Sequence, residues 1–152
     1  MLYFEDLEEG RETHFEEVYH VTEEEIIEVG RRWDPQPFHV DPEAARDSMF
    51  GGLVASSAHI FAIYVSIGNA EIDRDKAIAS VSALGFDKLQ WHAPVRPGDG
   101  LRNSFTIIGM RGSNSRPHLG IVTTSCRLYN QRDETVFTLQ CSFLVPKRDA
   151  DS

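Results

Sequence analysis

The sequence predicts an α+β chain in which one antiparallel sheet wraps a central helix, and three observations carry that reading. Residues 53–70 contain no Asp, Glu, Lys or Arg, the pattern of a helix without a wet face. Four stretches after Lys76 have strand texture, with turn signals between them at hairpin spacing. A further strand and short helices precede the uncharged run, so the economical layout is a single sheet around the buried helix.

The elements follow in order. The first strand is expected over residues 12–21 and ends at Thr22, which with Glu25 has the spacing of a capping box. A helix therefore starts there, with Ile26, Ile27, Val29 and Trp33 as its apolar side. Pro35 disfavours helical geometry at Asp34, so the helix stops near Trp33. The segment Asp34-Pro35-Gln36-Pro37-Phe38-His39 carries two prolines in six residues and reads as an ordered, non-helical loop. Asp41-Pro42 then reads as the N-cap and first residue of a second short helix reaching Asp47.

The uncharged run comes next. Its length is borderline for a bilayer, but Ser56, Ser57, His59, Ser66 and Asn69 suit one poorly and no basic anchors flank it, so it is expected to be a core helix buried on every face. Gly51-Gly52 gives it a flexible entry where a ligand or another backbone can approach. Strands are expected over residues 78–91, 101–111, 120–130 and 135–145. The last alternates cleanly, Phe137, Leu139, Cys141, Phe143 and Val145 against Thr138, Gln140 and Ser142, as a half-buried antiparallel strand does. Pro97-Gly98-Asp99-Gly100 and Asn130-Gln131-Arg132-Asp133 are the turns.

Composition bounds the function classes. The 152 residues fit one domain, taken as 1–152, and 41% hydrophobic with 26% charged residues excludes intrinsic disorder. Fifteen Lys+Arg against 24 Asp+Glu give a net charge of −9, which argues against nucleic-acid and membrane partners. Residues 1–50 hold 4 basic and 15 acidic side chains, so an anionic ligand is better received by the rest of the chain. Two cysteines make neither a disulfide framework nor a four-ligand zinc site, and the start lacks the pattern of a signal peptide, so the expectation is a cytoplasmic protein without a metal.

Among residues that can carry chemistry, Asp34 and His39 stand five apart on the proline-stiffened segment. An imidazole can take and give a proton near neutral pH, and a nearby carboxylate can orient it or a water. Asp34 equally fits a helix-end cap, and His39 a plain loop histidine. His59 fits a core or interface histidine and His92 a structural one. Cys126 and Cys141 fit buried small hydrophobes, and Ser56-Ser57 lacks the Gly-x-Ser-x-Gly elbow of a serine hydrolase.

These residues resemble the hydratase signature of the MaoC-like dehydratases, the R-specific enoyl-CoA hydratase group, whose motif runs Gly-Asp-x-Asn-Pro-aliphatic-His with a small residue six positions on. Asp34, Pro37, His39 and Ala45 match it. Phe50-Gly51-Gly52-Leu53-Val54-Ala55-Ser56-Ser57 is similar to the family's entry into its central helix, and Pro94-Val95-Arg96-Pro97-Gly98-Asp99 to its strand turn. Trp33, Gln36, Phe38 and Ser57 stand where the motif has Gly, Asn, an aliphatic residue and Gly. The two large aromatics are expected to narrow or line an acyl pocket.

The resemblance implies a hot-dog fold, usually a homodimer, with its acyl-thioester channel near the dimer interface. It implies an enoyl-CoA hydratase or dehydratase in which Asp34 and His39 bind the water added across the 2,3 double bond. The backbone N–H of Ser57 would stabilise the enolate-like thioester oxygen, with Gln36, Phe38 and Gly52 near the substrate. Coenzyme A enters as part of the substrate, and no cofactor is implied. Two alternatives are a hot-dog acyl-CoA thioesterase, disfavoured because residues 53–70 hold no carboxylate, and a non-catalytic acyl-thioester-binding subunit, which would have Trp33 or Phe38 blocking the site.

Overall fold

A computed structural model describes residues 1–70 and 73–148. Six strands form a sheet around one long helix, with β1 (Glu12–His14), β2 (Tyr19–His20), β3 (Ser82–Trp91), β4 (Gly100–Gly112), β5 (Leu119–Tyr129) and β6 (Thr135–Pro146). The neighbours run β1-β4-β5-β6-β3, all antiparallel, with β2 also paired to β4. The four later strands lie close to their expected positions, and β6 alternates as its sequence requires through Ser142.

The strand expected over residues 12–21 is broken. His14 faces Ser104 while Tyr19 faces Leu101, so this side of the ladder holds two more residues than β4 does. The adjacent like charges Glu16 and Glu17 are exposed in the break, while Phe15 turns inward onto Phe105.

Among the described residues between β2 and β3 there are four helices: α1 (Glu23–Trp33), α2 (Pro37–Val40), α3 (Pro42–Arg46) and α4 (Ser57–Asn69). The Thr22 hydroxyl caps α1 by accepting from the Glu25 N–H, acidic residues fill its first turn, and Arg31 and Arg32 close the last, each placed favourably on the helix dipole. Asp41 caps α3 through the Glu43 and Ala44 N–H groups, as expected from Asp41-Pro42. The segment expected to be non-helical contains α2. Pro37 occupies the first position, where its fixed φ starts a turn and its missing N–H costs nothing.

The central helix differs from expectation in two ways. It begins at Ser57, and residues 53–56 are not helical, with the Val54 N–H donating to Phe38 O and the Ala55 N–H to Val95 O. It is also buried on one side only: Ile60, Ile63 and Ile67 pack into the core with the sheet and His59 is buried against Glu25 of α1, while Ala58, Ala62 and Val65 are exposed. One curved sheet reaches around one face of a helix, and the small outward residues leave that side flat. β3, at the sheet edge, is exposed along nearly its whole length and presents Leu84, Phe86 and Trp91. The core lies between α4 and the sheet, centred on the fully buried Phe137, whose ring meets Phe61, Tyr64 and Trp91.

Candidate active site

Asp34 and His39 are brought together by the way α1 stops and α2 starts. Asp34 is the residue after α1, its N–H donating to Gly30 O at 2.9 Å, and Pro35 keeps its backbone out of the helix. The His39 side chain is 8% exposed and its Nε2 lies 3.4 Å from Asp34 Oδ2. His39 Nδ1 lies 2.6 Å from Val54 O. A carbonyl only accepts, so Nδ1 carries a hydrogen, and Nε2 is the ring nitrogen left to face the carboxylate.

Val54 holds α2 twice, donating its N–H to Phe38 O and accepting from His39 Nδ1. The imidazole is thereby fixed to a backbone that reaches α4 three residues later. Ser57 is the first residue of α4, where a backbone N–H has no partner within the helix. The cap hydroxyl of Ser56 accepts instead from the His59 N–H at 3.3 Å. An unpaired donor at the positive end of a helix can receive developing negative charge.

Of the remaining expected residues, Phe38 sets its ring edge-on to His39 at 4.5 Å and against Phe50 at 5.2 Å. Gly52 lies beside Arg96, whose guanidinium donates to Phe50 O at 2.6 Å and secures the turn leading to α4. Gln36 is exposed at the N-cap of α2, where its carbonyl accepts from the His39 N–H. Trp33, next to Asp34, is 67% exposed, with Arg32 stacked over its ring. α1 ends with that side chain on its solvent side.

Sequence reasoning missed three contributors. Gly30 is where α1 meets α2, and a Cβ there would lie 2.8 Å from His39 O and 3.0 Å from His39 Cβ. Glu25 and His59 form a second carboxylate–imidazole contact, Oε1 to Nε2 at 3.6 Å, and the Tyr19 hydroxyl donates to the same Glu25 oxygen. Burial pushes the Tyr19 phenol up to about 12, with Glu25 adding to the effect. Burial holds His59 below the usual histidine value, against the pull of Glu25 and with a small push from His39. The capping-box spacing of Glu25 concealed its inward side chain.

The other candidates stay apart from this site. His92 Nε2 contacts Thr138 Oγ1 on an exposed surface, and His14 contacts Glu12. Cys126 and Cys141 are free and buried, and burial pushes both thiols up, Cys141 to about 11. A cavity of about 870 Å³, lined by Tyr64, Phe86, Phe105 and both cysteines, lies away from Asp34 and His39. Among the described residues, no three His, Cys, Asp or Glu gather as metal ligands, and no helix is long and apolar enough to cross a membrane.

The model of the MaoC like domain matches residues 6–128. The crystal structure of a MaoC-like dehydratase from Rhodospirillum rubrum superposes with a TM-score of 0.86 at 36% identity, covering 97% of this chain and 99% of that one. An uncharacterized protein of Bacillus subtilis, YdeM, is 31% identical over 129 residues, 84% of this chain and 87% of its own length. A mesaconyl-CoA hydratase of Cereibacter sphaeroides is 37% identical over 75 residues, 49% of this chain but 22% of that protein. A Mycobacterium tuberculosis protein with a double hot-dog fold superposes at a TM-score of 0.78 and 15% identity, covering 99% of this chain and 46% of that one.

Proposed function

Since this chain belongs to the MaoC-like domain family and has the hot-dog fold, we propose that it hydrates 2-enoyl-CoA thioesters, or dehydrates 3-hydroxyacyl-CoA thioesters, with Asp34 and His39 as its acid/base pair. The observation that carries this reading is the clamp at Val54. It points His39 Nε2 at Asp34 while tying the ring to the non-helical segment that runs into the free N–H groups of α4.

In the forward direction a water sits beside the pair, within hydrogen-bond reach of both His39 Nε2 and Asp34 Oδ2. One group takes a proton from it as its oxygen bonds to C3. The 3.4 Å separation lets that proton cross to the other group, which delivers it to C2 on the same face, so the pair ends in its starting state. Negative charge shifts to the thioester oxygen as C2 becomes carbanion-like, and the Ser57 N–H is the donor assigned to it. Phe38 flanks the reacting carbons, Gly52 allows close approach of the thioester, and Gln36 lies at the rim. Coenzyme A is part of the substrate, and the scheme needs no other cofactor.

The working form is proposed to be a cytoplasmic homodimer. The exposed apolar edge of β3 and the adjoining small-residue face of α4 support the dimer, and the two unpaired thiols suit a reducing compartment.

The test follows the ultraviolet absorbance of the conjugated enoyl thioester with crotonyl-, 2-octenoyl- and mesaconyl-CoA, alongside His39→Ala and Asp34→Asn. Absorbance should fall without release of free thiol, and each variant should lower kcat by at least ~100-fold at a nearly unchanged Tm. Variants as fast as wild type would remove the pair from the mechanism, and thiol release would make the protein a thioesterase.

A further inference from the structure

The scheme above uses one imidazole and one carboxylate, yet the same corner of the fold holds a second of each. His59 is 2% exposed, and neither of its ring nitrogens has a hydrogen-bond partner. Its Nε2 lies 3.6 Å from Glu25 Oε1, within reach of an ion pair but just beyond hydrogen-bond length. Glu25 is itself held from the other side by the Tyr19 hydroxyl.

As a device for stability this arrangement is poor. A buried imidazole without hydrogen bonds loses its hydration and gains little, and an apolar side chain of similar volume would pack the space at no such loss. Local rules broken in the core without a stabilising return mark functional positions.

The placement points to what that function is. Glu25 is in the first turn of α1, and the last turn of the same helix carries Gly30, pressed against His39, and leads to Asp34. His59 is in the first turn of α4, two residues after Ser57. A helix of this length is a stiff rod of about 1.5 Å per residue, so pinning one end to α4 sets where the other end stands.

We propose that Glu25 and His59 are a positioning pair that pins α1 to the start of α4 and so fixes the Asp34–His39 pair relative to the Ser57 N–H, a role that rests on the reading of Asp34 and His39 as the reacting groups. The contact also has an electrostatic side. The groups that bear on His59 are Glu25 from α1 and His39 from α2, with Tyr19 of β2 acting through Glu25. The Glu25 carboxylate favours positive charge in this corner. Removing it makes protonation of His59 harder, so His59 titrates at lower pH.

The experiment compares wild type with Glu25→Gln, His59→Leu and, as a control, His39→Ala. It measures kcat, KM and Tm, and follows the His59 ring by NMR titration in wild type and Glu25→Gln. Glu25→Gln keeps the size and the Tyr19 contact. It should lower kcat roughly tenfold with KM nearly unchanged. His59 should titrate at still lower pH in this variant. His59→Leu should lower kcat roughly tenfold or more at an equal or higher Tm.

Wild-type kcat in both variants, beside an inactive His39→Ala, would overturn the positioning role alone. A loss of kcat that merely tracks a loss of Tm would overturn it as well, leaving ordinary packing. An unchanged His59 titration in Glu25→Gln would dissolve the pair whether or not any thioester is turned over. Full activity in His39→Ala would instead bring down the reading on which the proposal stands.

Discussion

Gly30→Ala puts the smallest possible perturbation at the point where α1 bears on the site. The added methyl would sit 2.8 Å from His39 O, 3.0 Å from His39 Cβ and 3.1 Å from Val40 Cγ1, and two of the three neighbours belong to the proposed acid/base histidine. Ordinary contact begins at 3.4 Å, so α2 must retreat by about 0.6 Å at the carbonyl. Alanine gains about 1 kcal/mol over glycine inside a helix, while forcing a methyl into a packed contact costs about 1–3 kcal/mol. The net is roughly 0–2 kcal/mol of destabilisation, a fall in Tm of at most about 8 °C for a chain of this size. Activity should suffer more than stability. His39 is tied to Val54 through its ring and pushed by the methyl through its backbone, so Nε2 swings relative to Asp34 Oδ2. A displacement of this order costs roughly 10–100-fold in kcat, with KM little changed. Thermal melting and the enoyl-thioester assay on the same preparation decide the matter. Wild-type kcat together with a Tm raised by the full helix-propensity gain would mean that α2 yields freely and that the contact with Gly30 does not position His39.

Three other outcomes are expected. Ser57→Pro should abolish turnover while preserving the fold: proline is tolerated at the first helical position, and Ser56 before it, at φ −68° and ψ 159°, already has the required extended backbone. Ser57→Ala should be nearly neutral, and a strong effect there would assign the role to the hydroxyl. The depressed His59 sets a sign for stability against pH. The unfolded chain binds a proton there at a higher pH than the folded protein does, so this contribution is whole above about pH 6.5 and is lost as pH falls through the lowered folded value. Tm should therefore drop on acidification, and less steeply in His59→Leu; parallel curves would refute the assignment. Light scattering should give a solution mass of two chains, reduced to one by Leu84→Glu on the exposed edge of β3, and a wild-type monomer would refute the homodimer.

Most of the architecture was legible because its signals are local. Thr22, Asp41 and the two prolines mark helix ends within a few residues, and the alternation of β6 reads directly as a half-covered strand. What failed was judgement about enclosure. Residues 53–70 lack charge, but absence of charge does not distinguish a helix surrounded by its own sheet from one with a flat outer face of Ala58, Ala62 and Val65. The break at Glu16-Glu17 was hidden because period-two texture continues on both sides of it, and only the pairing with β4 reveals the extra residues.

The site divides along the same line. Asp34 and His39 are five residues apart on one proline-bound segment, so their meeting is almost a property of the local chain. Glu25 and His59 are 34 positions apart in the numbering, and their contact exists only because α1 crosses the first turn of α4. Each also had a sufficient local explanation, Glu25 as the partner in a capping box and His59 as a core histidine. In the fold the Thr22 cap is made by its hydroxyl and the Glu25 backbone N–H, which leaves the Glu25 carboxylate free to turn inward. Gly30 was silent for a related reason: a glycine in mid-helix signals only a local weakness until the backbone of α2 is found 2.8 Å from where its side chain would begin. The residues that do the proposed chemistry can thus be read from spacing, while those that hold them in place are visible only where separate helices touch.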